Sequence, residues 1–376
     1  MAQLPQPRLK INLDALHQNL QTLCSTAGVE TSECIPVIKN SAYGLGSGII
    51  AHRLEQWGVT TFAVATLAEA LFLRHKKSTA AILVLGRVTP EDFSVAEQAN
   101  LTISVIDATH LRELQNYNGS IALNIDTGMH RCGLPWEDIP TLLKELSPLA
   151  GKIRSLYTHL HSADSTTAHE ETRLQQSRFS HCCKILWQAG IQPPAIHCAN
   201  SAGSLFWKHD CCTHIRPGIA LFGCHPDPHI PTPRLADVAS IQSTVCSIRT
   251  LKKGEGVSYG HTWHAPKDTR IATIALGYSD GLPRTLSTEN LLIQIGDTLY
   301  PQVGRITMDY LMVDIGDTPV HVGDLANITH EQASIDTLAC AAGTIGYELL
   351  CRFGYAMTKE YYEGGKKIAT LKRSIF

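Results

Sequence analysis

Ile35-Pro36-Val37-Ile38-Lys39 is a short β-branched run followed by a stretch of helical texture, and the alternation returns until the chain holds eight such runs. They lie at 35–39, 61–66, 81–86, 101–107, 121–126, 153–159, 195–200 and 214–221, with helical partners that include 48–56, 67–75, 136–146 and 170–189. Strands that alternate with helices run parallel, because the helix carries the chain back to start the next strand. Eight of these units close a (β/α)8 TIM barrel, typically of about 250 residues.

Beyond the proline-rich tract at 225–233 the texture changes to shorter runs at 241–251, 269–276, 291–295 and 311–315. Gly254, Gly277, Gly296-Asp297, Gly316-Asp317 and Gly323-Asp324 supply closely spaced turn signals, and one helical segment lies at 334–342. That pattern predicts a mostly antiparallel β domain. The expected class is α/β: a barrel over 1–233, then a mostly β domain over 234–376.

Composition narrows the function classes. The 376 residues carry 32 Lys plus Arg against 34 Asp plus Glu, a formal charge of −2, so no basic field for gripping nucleic acid is expected. A hydrophobic share of 44% supplies ample core, which excludes a disordered chain. The first ten residues hold two prolines and no apolar signal segment, and no run reaches the roughly 18 apolar residues of a membrane span. A soluble cytoplasmic protein is expected. The twelve cysteines, several in apolar runs (Cys198, Cys246, Cys340), include no Cys-x-x-Cys pair and read as buried thiols, not as disulfides or a zinc site.

A barrel builds its active site at the C-terminal ends of its strands. Lys39 ends the first run, Asp126 the fifth, His159 the sixth and Asn200-Ser201 the seventh, while Arg216 lies within the eighth. A strand-end lysine is usually a solvated charge, but one beside apolar Val37-Ile38 and a Tyr43-Gly44 turn has the setting of a Schiff-base amine. Asn200-Ser201-Ala202-Gly203 and Arg216-Pro217-Gly218-Ile219 close the last two strands, where barrels often cup a phosphate with backbone amides. Each turn alone is ordinary barrel closure. An amine opposite a phosphate cup suggests pyridoxal phosphate, with Arg216 near its ring nitrogen.

The run Val37-Ile38-Lys39-Asn40-Ser41-Ala42-Tyr43-Gly44-Leu45-Gly46 closely resembles the pyridoxal-lysine motif of alanine racemases. The resemblance continues in order through Asp126-Thr127-Gly128-Met129-His130-Arg131, Tyr157-Thr158-His159, Ala199-Asn200-Ser201-Ala202 and Arg216-Pro217-Gly218-Ile219-Ala220-Leu221. It then covers Val257-Ser258-Tyr259-Gly260, Gly277-Tyr278-Ser279-Asp280-Gly281 and Gly304-Arg305-Ile306-Thr307-Met308-Asp309. It implies a pyridoxal phosphate barrel with a C-terminal β domain, and the making of D-alanine for peptidoglycan. It also implies a homodimer in which Tyr259 and Met308 of one chain meet Lys39 of the other. Lys39 would hold the cofactor and be one base, Tyr259 the other. Phosphate contacts would fall on Tyr43, Ser201, the backbone of Gly218 and Ile219, and Tyr355, with Asn200 alongside. Arg216 would face the ring nitrogen with His159 behind it. Arg131 and the Met308 backbone would hold the substrate carboxylate, and Tyr278 would narrow the entrance.

The chemistry is consistent with those roles. Racemisation takes a proton from one face of Cα and returns it to the other, which needs two opposed bases. A phenol serves as a base where a cation favours its phenolate, and Arg131 is the candidate.

Three places depart from the family pattern. Asn124 stands where many members have a lysine that is often carbamylated, so either a bound anion or water supports Arg131 instead or Arg131 is held less firmly. Tyr355-Ala356-Met357-Thr358-Lys359 lacks the usual Arg-Val-Pro-Arg. The His- and Cys-rich stretch 209–214 reads as solvated surface. Competing readings are a metal-dependent barrel hydrolase using His159 and His161, a non-catalytic pyridoxal-binding barrel, and a barrel decarboxylase. Substrate breadth beyond alanine, serine above all, stays open, since a hydroxyl-sized difference gives modest discrimination.

Overall fold

The computed structural model describes residues 6–208, 211–227, 233–288 and 290–373. They fall into two compact units, one of His17–Ala42 and Ser47–Leu235, the other of Met1–Leu16, Tyr43–Gly46 and Ala236–Phe376. The expected boundary tract at 225–233 lies partly outside the described residues.

In the first unit six parallel strands follow one another as Thr61–Val64, Ala81–Val84, Leu101–Ser104, Ser120–Asp126, Ile153–Tyr157 and Ala195–His197. Two extended segments close the ring. The N–H groups of Ile35 and Val37 donate to the carbonyls of Ile215 and Pro217, each at 2.8 Å, and Ile38 N–H donates to Ala63 O at 2.9 Å. On the other side Arg216 N–H donates to Ala199 O at 2.7 Å. The runs at 35–39 and 214–221 are therefore barrel positions but not ladder strands, each reduced to isolated bridges, Val37 to Ala63 and Cys34 to Ile215. Pro36 and Pro217 explain this, since a proline has no N–H to give to a ladder.

The helices start where their sequence caps them. Thr66 and Glu69 form a capping box at the start of Leu67–His75, so orphan N–H groups of the first turn are satisfied by side chains. The helix expected at 136–146 divides into a tight turn, Trp136–Asp138, and the helix Ile139–Leu146 with Pro140 in its first turn. Inside the ring Ile35, Val37, Ala63, Leu83, Ala122 and Tyr157 pack as one buried cluster. Each such large aliphatic side chain contributes roughly 1.5–3 kcal/mol by leaving water.

The second unit is built on one long strand, Ala239–Leu251. It pairs antiparallel with Arg8–Asn12, Leu325–Asn327 and Thr269–Ile274. Arg8–Asn12 also pairs in parallel with Thr358–Glu363. The sequence reading placed these N-terminal residues with the barrel, whereas they ladder into the β unit. The cause is legible in hindsight: Leu9 and Ile11 are fully buried while Arg8 and Lys10 are not, the alternation of a half-buried strand. Two helices complete the unit, Ile335–Ala341 and Gly346–Ala356. Among the described residues no helix is long and apolar enough to cross a membrane.

Candidate functional site

The sequence-selected residues divide between the two units. Lys39, Arg131, His159, Asn200, Ser201, Arg216, Gly218 and Ile219 belong to the barrel; Tyr43, Tyr259, Tyr278, Met308 and Tyr355 belong to the β unit.

Lys39 is half-buried and opens a left-handed turn: Asn40, Ser41, Ala42 and Tyr43 all have φ between 52° and 55°. Each such residue costs roughly 1–2 kcal/mol relative to the right-handed form. The turn is therefore held by its surroundings. Ala42 N–H returns to Ile38 O at 2.9 Å, and Asn40 N–H donates to the Glu69 carboxylate. Glu69 also accepts from the N–H groups of Ala65 at 2.8 Å and Thr66 at 3.1 Å. The acid that caps one helix thus also pins the residue after Lys39. Sequence reasoning passed Glu69 over, although its place three residues after Thr66 was the capping signal.

Arg216, only 3% exposed, is the centre of the barrel constellation. Its Nε donates to His197 Nδ1 at 3.2 Å, one Nη to His159 Nδ1 at 3.4 Å and the other to Thr158 O at 2.9 Å. The guanidinium lies over the Tyr157 ring at 5.1 Å, and Tyr157 stacks on His197 at the same centroid distance. Both imidazoles accept from Arg216, so both are neutral there. Burial and then the Arg216 charge push His159 down to about 3, with Arg131 and Lys39 adding to it, and the same two leading causes hold His197 well below the usual imidazole range. With its Nδ1 accepting, His197 carries its proton on Nε2 and donates to Ser155 Oγ at 2.7 Å. His197, Ser155 and Tyr157 were not singled out as site residues from sequence. A histidine two residues before a strand-end Ala199-Asn200 was the available signal.

Beside this network Ser201 Oγ accepts from the N–H groups of Gly218 at 3.0 Å and Ala220 at 3.2 Å. Asn200 caps the short helix Ser201–Phe206 by accepting from Gly203 N–H at 2.9 Å, and its amide donates to Leu160 O at 3.0 Å. Ile219, fully buried, is the first residue of the turn Ile219–Phe222, a position whose N–H has no acceptor within its own turn. A hydroxyl and first-turn amides crowded at one strand-end corner fit the donor set a phosphate needs.

Arg131 is presented by a loop that Asp126 ties down, its carboxylate accepting from Gly128 N–H at 2.9 Å and His130 N–H at 3.1 Å. Gln175 and Arg178 of the helix His169–Gln188 hold the same loop from outside: Gln175 bonds Thr127 Oγ1 and His159 O, and Arg178 bonds Thr127 O at 2.9 Å. Asn124 is buried under this loop. Gly133 closes the loop at φ 120°, where a Cβ would stand 2.9 Å from Asn124 O.

A metal centre on His159 and His161 does not fit. His159 faces a guanidinium, His161 Nδ1 is 2.6 Å from Ser162 Oγ, and among the described residues no three His, Cys, Asp or Glu side chains are grouped to hold an ion.

In the β unit three sequence motifs converge. Ser258 Oγ donates to Arg305 O at 2.7 Å, Tyr278 N–H to Thr307 O at 3.0 Å, and Ser279 N–H to Met308 O at 3.0 Å. Gly277 and Gly304 allow this approach: a Cβ would lie 2.2 Å from Met308 O at the first and 2.7 Å from Val257 O at the second. The result presents Tyr259, Tyr278 and Met308 together, with Tyr259 67% and Met308 54% exposed. Large side chains are seldom left open in this way without a use. Tyr43 and Tyr355 flank a second close approach, where Gly44 and Gly354 touch backbone to backbone, and Tyr43 meets the Tyr347 ring edge-on at 6.3 Å.

Residues 11–226 match the family profile for the alanine racemase N-terminal domain, and residues 238–361 the profile for its C-terminal domain. The chain is 33% identical to an alanine racemase of Geobacillus kaustophilus over 98% of this chain and 97% of that one. It is likewise 33% identical to one of Nostoc sp., over 93% and 94%. Among solved structures, the alanine racemase of Clostridium difficile superposes with a TM-score of 0.88 at 27% identity, covering 98% of both chains. The Bacillus anthracis enzyme with bound L-Ala-P gives 0.87 at 28% identity over 99% of both.

Proposed function

The chain belongs to the alanine racemase family, and from that premise we propose that it interconverts L- and D-alanine with pyridoxal phosphate as cofactor, and so furnishes D-alanine for cell-wall synthesis. The observation that carries this reading is the buried Arg216, which donates to the neutral His159 and His197 on the same barrel as Lys39 and Arg131, together with the corner where Ser201 meets the Gly218 and Ala220 N–H groups. A cation and first-turn amides at the strand ends suit a phosphate-bearing ligand.

When bound, the cofactor supplies the electron sink that makes the α-proton of an amino acid removable. Lys39 would hold it covalently, with Ser201, Gly218, Ile219, Tyr43 and Tyr355 on its phosphate and Asn200 shaping the corner. Arg216 keeps its own protons, so it would give the ring nitrogen a hydrogen bond without a proton, which tempers the sink and disfavours side reactions. His159 and His197, being neutral, orient Arg216 without competing for the ligand's charge. Arg131 and the Met308 N–H would fix the substrate carboxylate, leaving Cα between two bases. The Lys39 amine takes or returns the proton on one face and the Tyr259 hydroxyl on the other; Tyr278 limits what enters.

The exposure of Tyr259 and Met308 supports a homodimer in which they complete the partner's site, since an isologous contact finishes two sites at once. The test is a chiral assay of the purified, cofactor-saturated protein on alanine, serine, lysine and arginine. Alanine should reach equal amounts of both enantiomers fastest. A faster conversion of another amino acid would reassign the substrate, and no conversion of any would refute the activity.

A further inference from the structure

Four of the twelve cysteines gather behind the strand that carries His197. Cys212 Sγ donates to Cys198 Sγ at 3.3 Å, inside the van der Waals separation of two sulfurs. Cys211, next to it in the chain, and Cys183 on the helix His169–Gln188 are neighbours of the pair. Cys198 is buried, whereas Cys211 and Cys212 are half-exposed. The segment holding Cys212 is stitched to the strand on both sides of Cys198: Thr213 and His214 N–H bond Ile196 O at 2.8 and 3.1 Å, and Arg216 N–H bonds Ala199 O at 2.7 Å.

We propose that Cys198 and Cys212 form a reversible disulfide when the protein meets a peroxide, which makes this pair a redox-modification site beside the Arg216 network. The half-exposed Cys212 takes the oxygen atom: its sulfur displaces hydroxide from hydrogen peroxide and becomes a sulfenic acid. Cys198 sulfur then attacks Cys212 sulfur, the S–OH bond breaks and water leaves with the thiol proton. Two thiols are oxidised and one peroxide is reduced to two waters. Closing 3.3 Å to a disulfide's roughly 2.05 Å draws the 211–213 segment against the residue that follows His197. Hydrogen bonding from Cys212 to Cys198, with burial, keeps the Cys212 thiol protonated above the usual thiol range. Because the thiolate is the reacting form, oxidation should be slow at neutral pH and faster as pH rises.

Peptide mapping after peroxide treatment of the full chain, with differential alkylation, tests this without reference to activity. The expected product is a Cys198–Cys212 cross-linked peptide that dithiothreitol reverses, forming about thirtyfold faster at pH 8.5 than at 7, since below its pKa a thiol's thiolate fraction rises tenfold per pH unit. It should persist in Cys211→Ser and vanish in Cys212→Ser, whose fold is checked by circular dichroism. A Cys183–Cys211 cross-link in its place overturns the assignment. So does full alkylation of Cys198 and Cys212 under conditions that oxidise Cys132 and Cys340, which are exposed, whereas the sequence pattern predicts buried thiols, Cys340 among them.

Discussion

At the scale of single residues, the decisive feature is a buried cation set against neutral groups: Arg216 donates to two imidazoles and a carbonyl. That choice has a pH signature. His159 and His197 titrate below their unfolded value near 6.5, so unfolding takes up protons between the two values. Their contribution to stability is complete above about pH 6.5 and is lost as pH falls, for His159 toward about 3. Urea titrations at a series of pH values should show that loss. In His197→Gln the acid limb should be shallower by up to one proton, about 1.4 kcal/mol per pH unit; parallel limbs would mean that His197 is not held neutral. His159 was readable as the end of the sixth run and Arg216 as part of the eighth, but His197 was not. It lies inside the expected run 195–200, whereas the observed strand ends on it, and only the closed ring turns its Nδ1 toward Arg216.

At the scale of elements, the strained turn after Lys39 matters most. Four consecutive left-handed residues without a glycine are not favoured by local propensity, and no periodicity announces them. The sequence does show the motif, and the packing supplies the conformation: Glu69 from below and the returning Ala42 N–H. Glu69→Ala should therefore lower kcat by about tenfold, equal to some 1.4 kcal/mol, with KM changing less. Glu69→Gln, which keeps an acceptor oxygen, should retain most of the rate. Steady-state kinetics on both variants, beside their thermal midpoints, separates a loosened Lys39 from general unfolding: equal kcat in Glu69→Ala and wild type would remove Glu69 from the site. The runs at 35–39 and 214–221 teach a related point. β-branched composition revealed where the barrel walls run, but Pro36 and Pro217 decided that these walls are held by isolated bonds.

For the whole molecule, eight repeated units were enough to read the barrel, because the count of strands is a property of the chain alone. The membership of Arg8–Asn12 was not readable in the same way, since pairing with Ala239–Leu251 and Thr358–Glu363 joins residues more than two hundred positions apart. If the working enzyme is a dimer with shared sites, Lys39→Ala and Tyr259→Phe subunits, each inactive alone, should recover up to about a quarter of wild-type activity when exchanged. Random exchange makes roughly half the dimers hybrid, each with one intact site. Mass-tagged subunits that exchange without recovering activity would place Tyr259 with its own chain's Lys39.

The proposed chemistry rests on Lys39 above every other residue, and one measurement addresses it directly. The purified protein, saturated with pyridoxal phosphate and reduced with borohydride, is digested and its lysine peptides are weighed. The reduced cofactor should be found on the peptide containing Lys39 and absent from Lys39→Ala. An adduct on a different lysine, or none at all, would contradict the assignment.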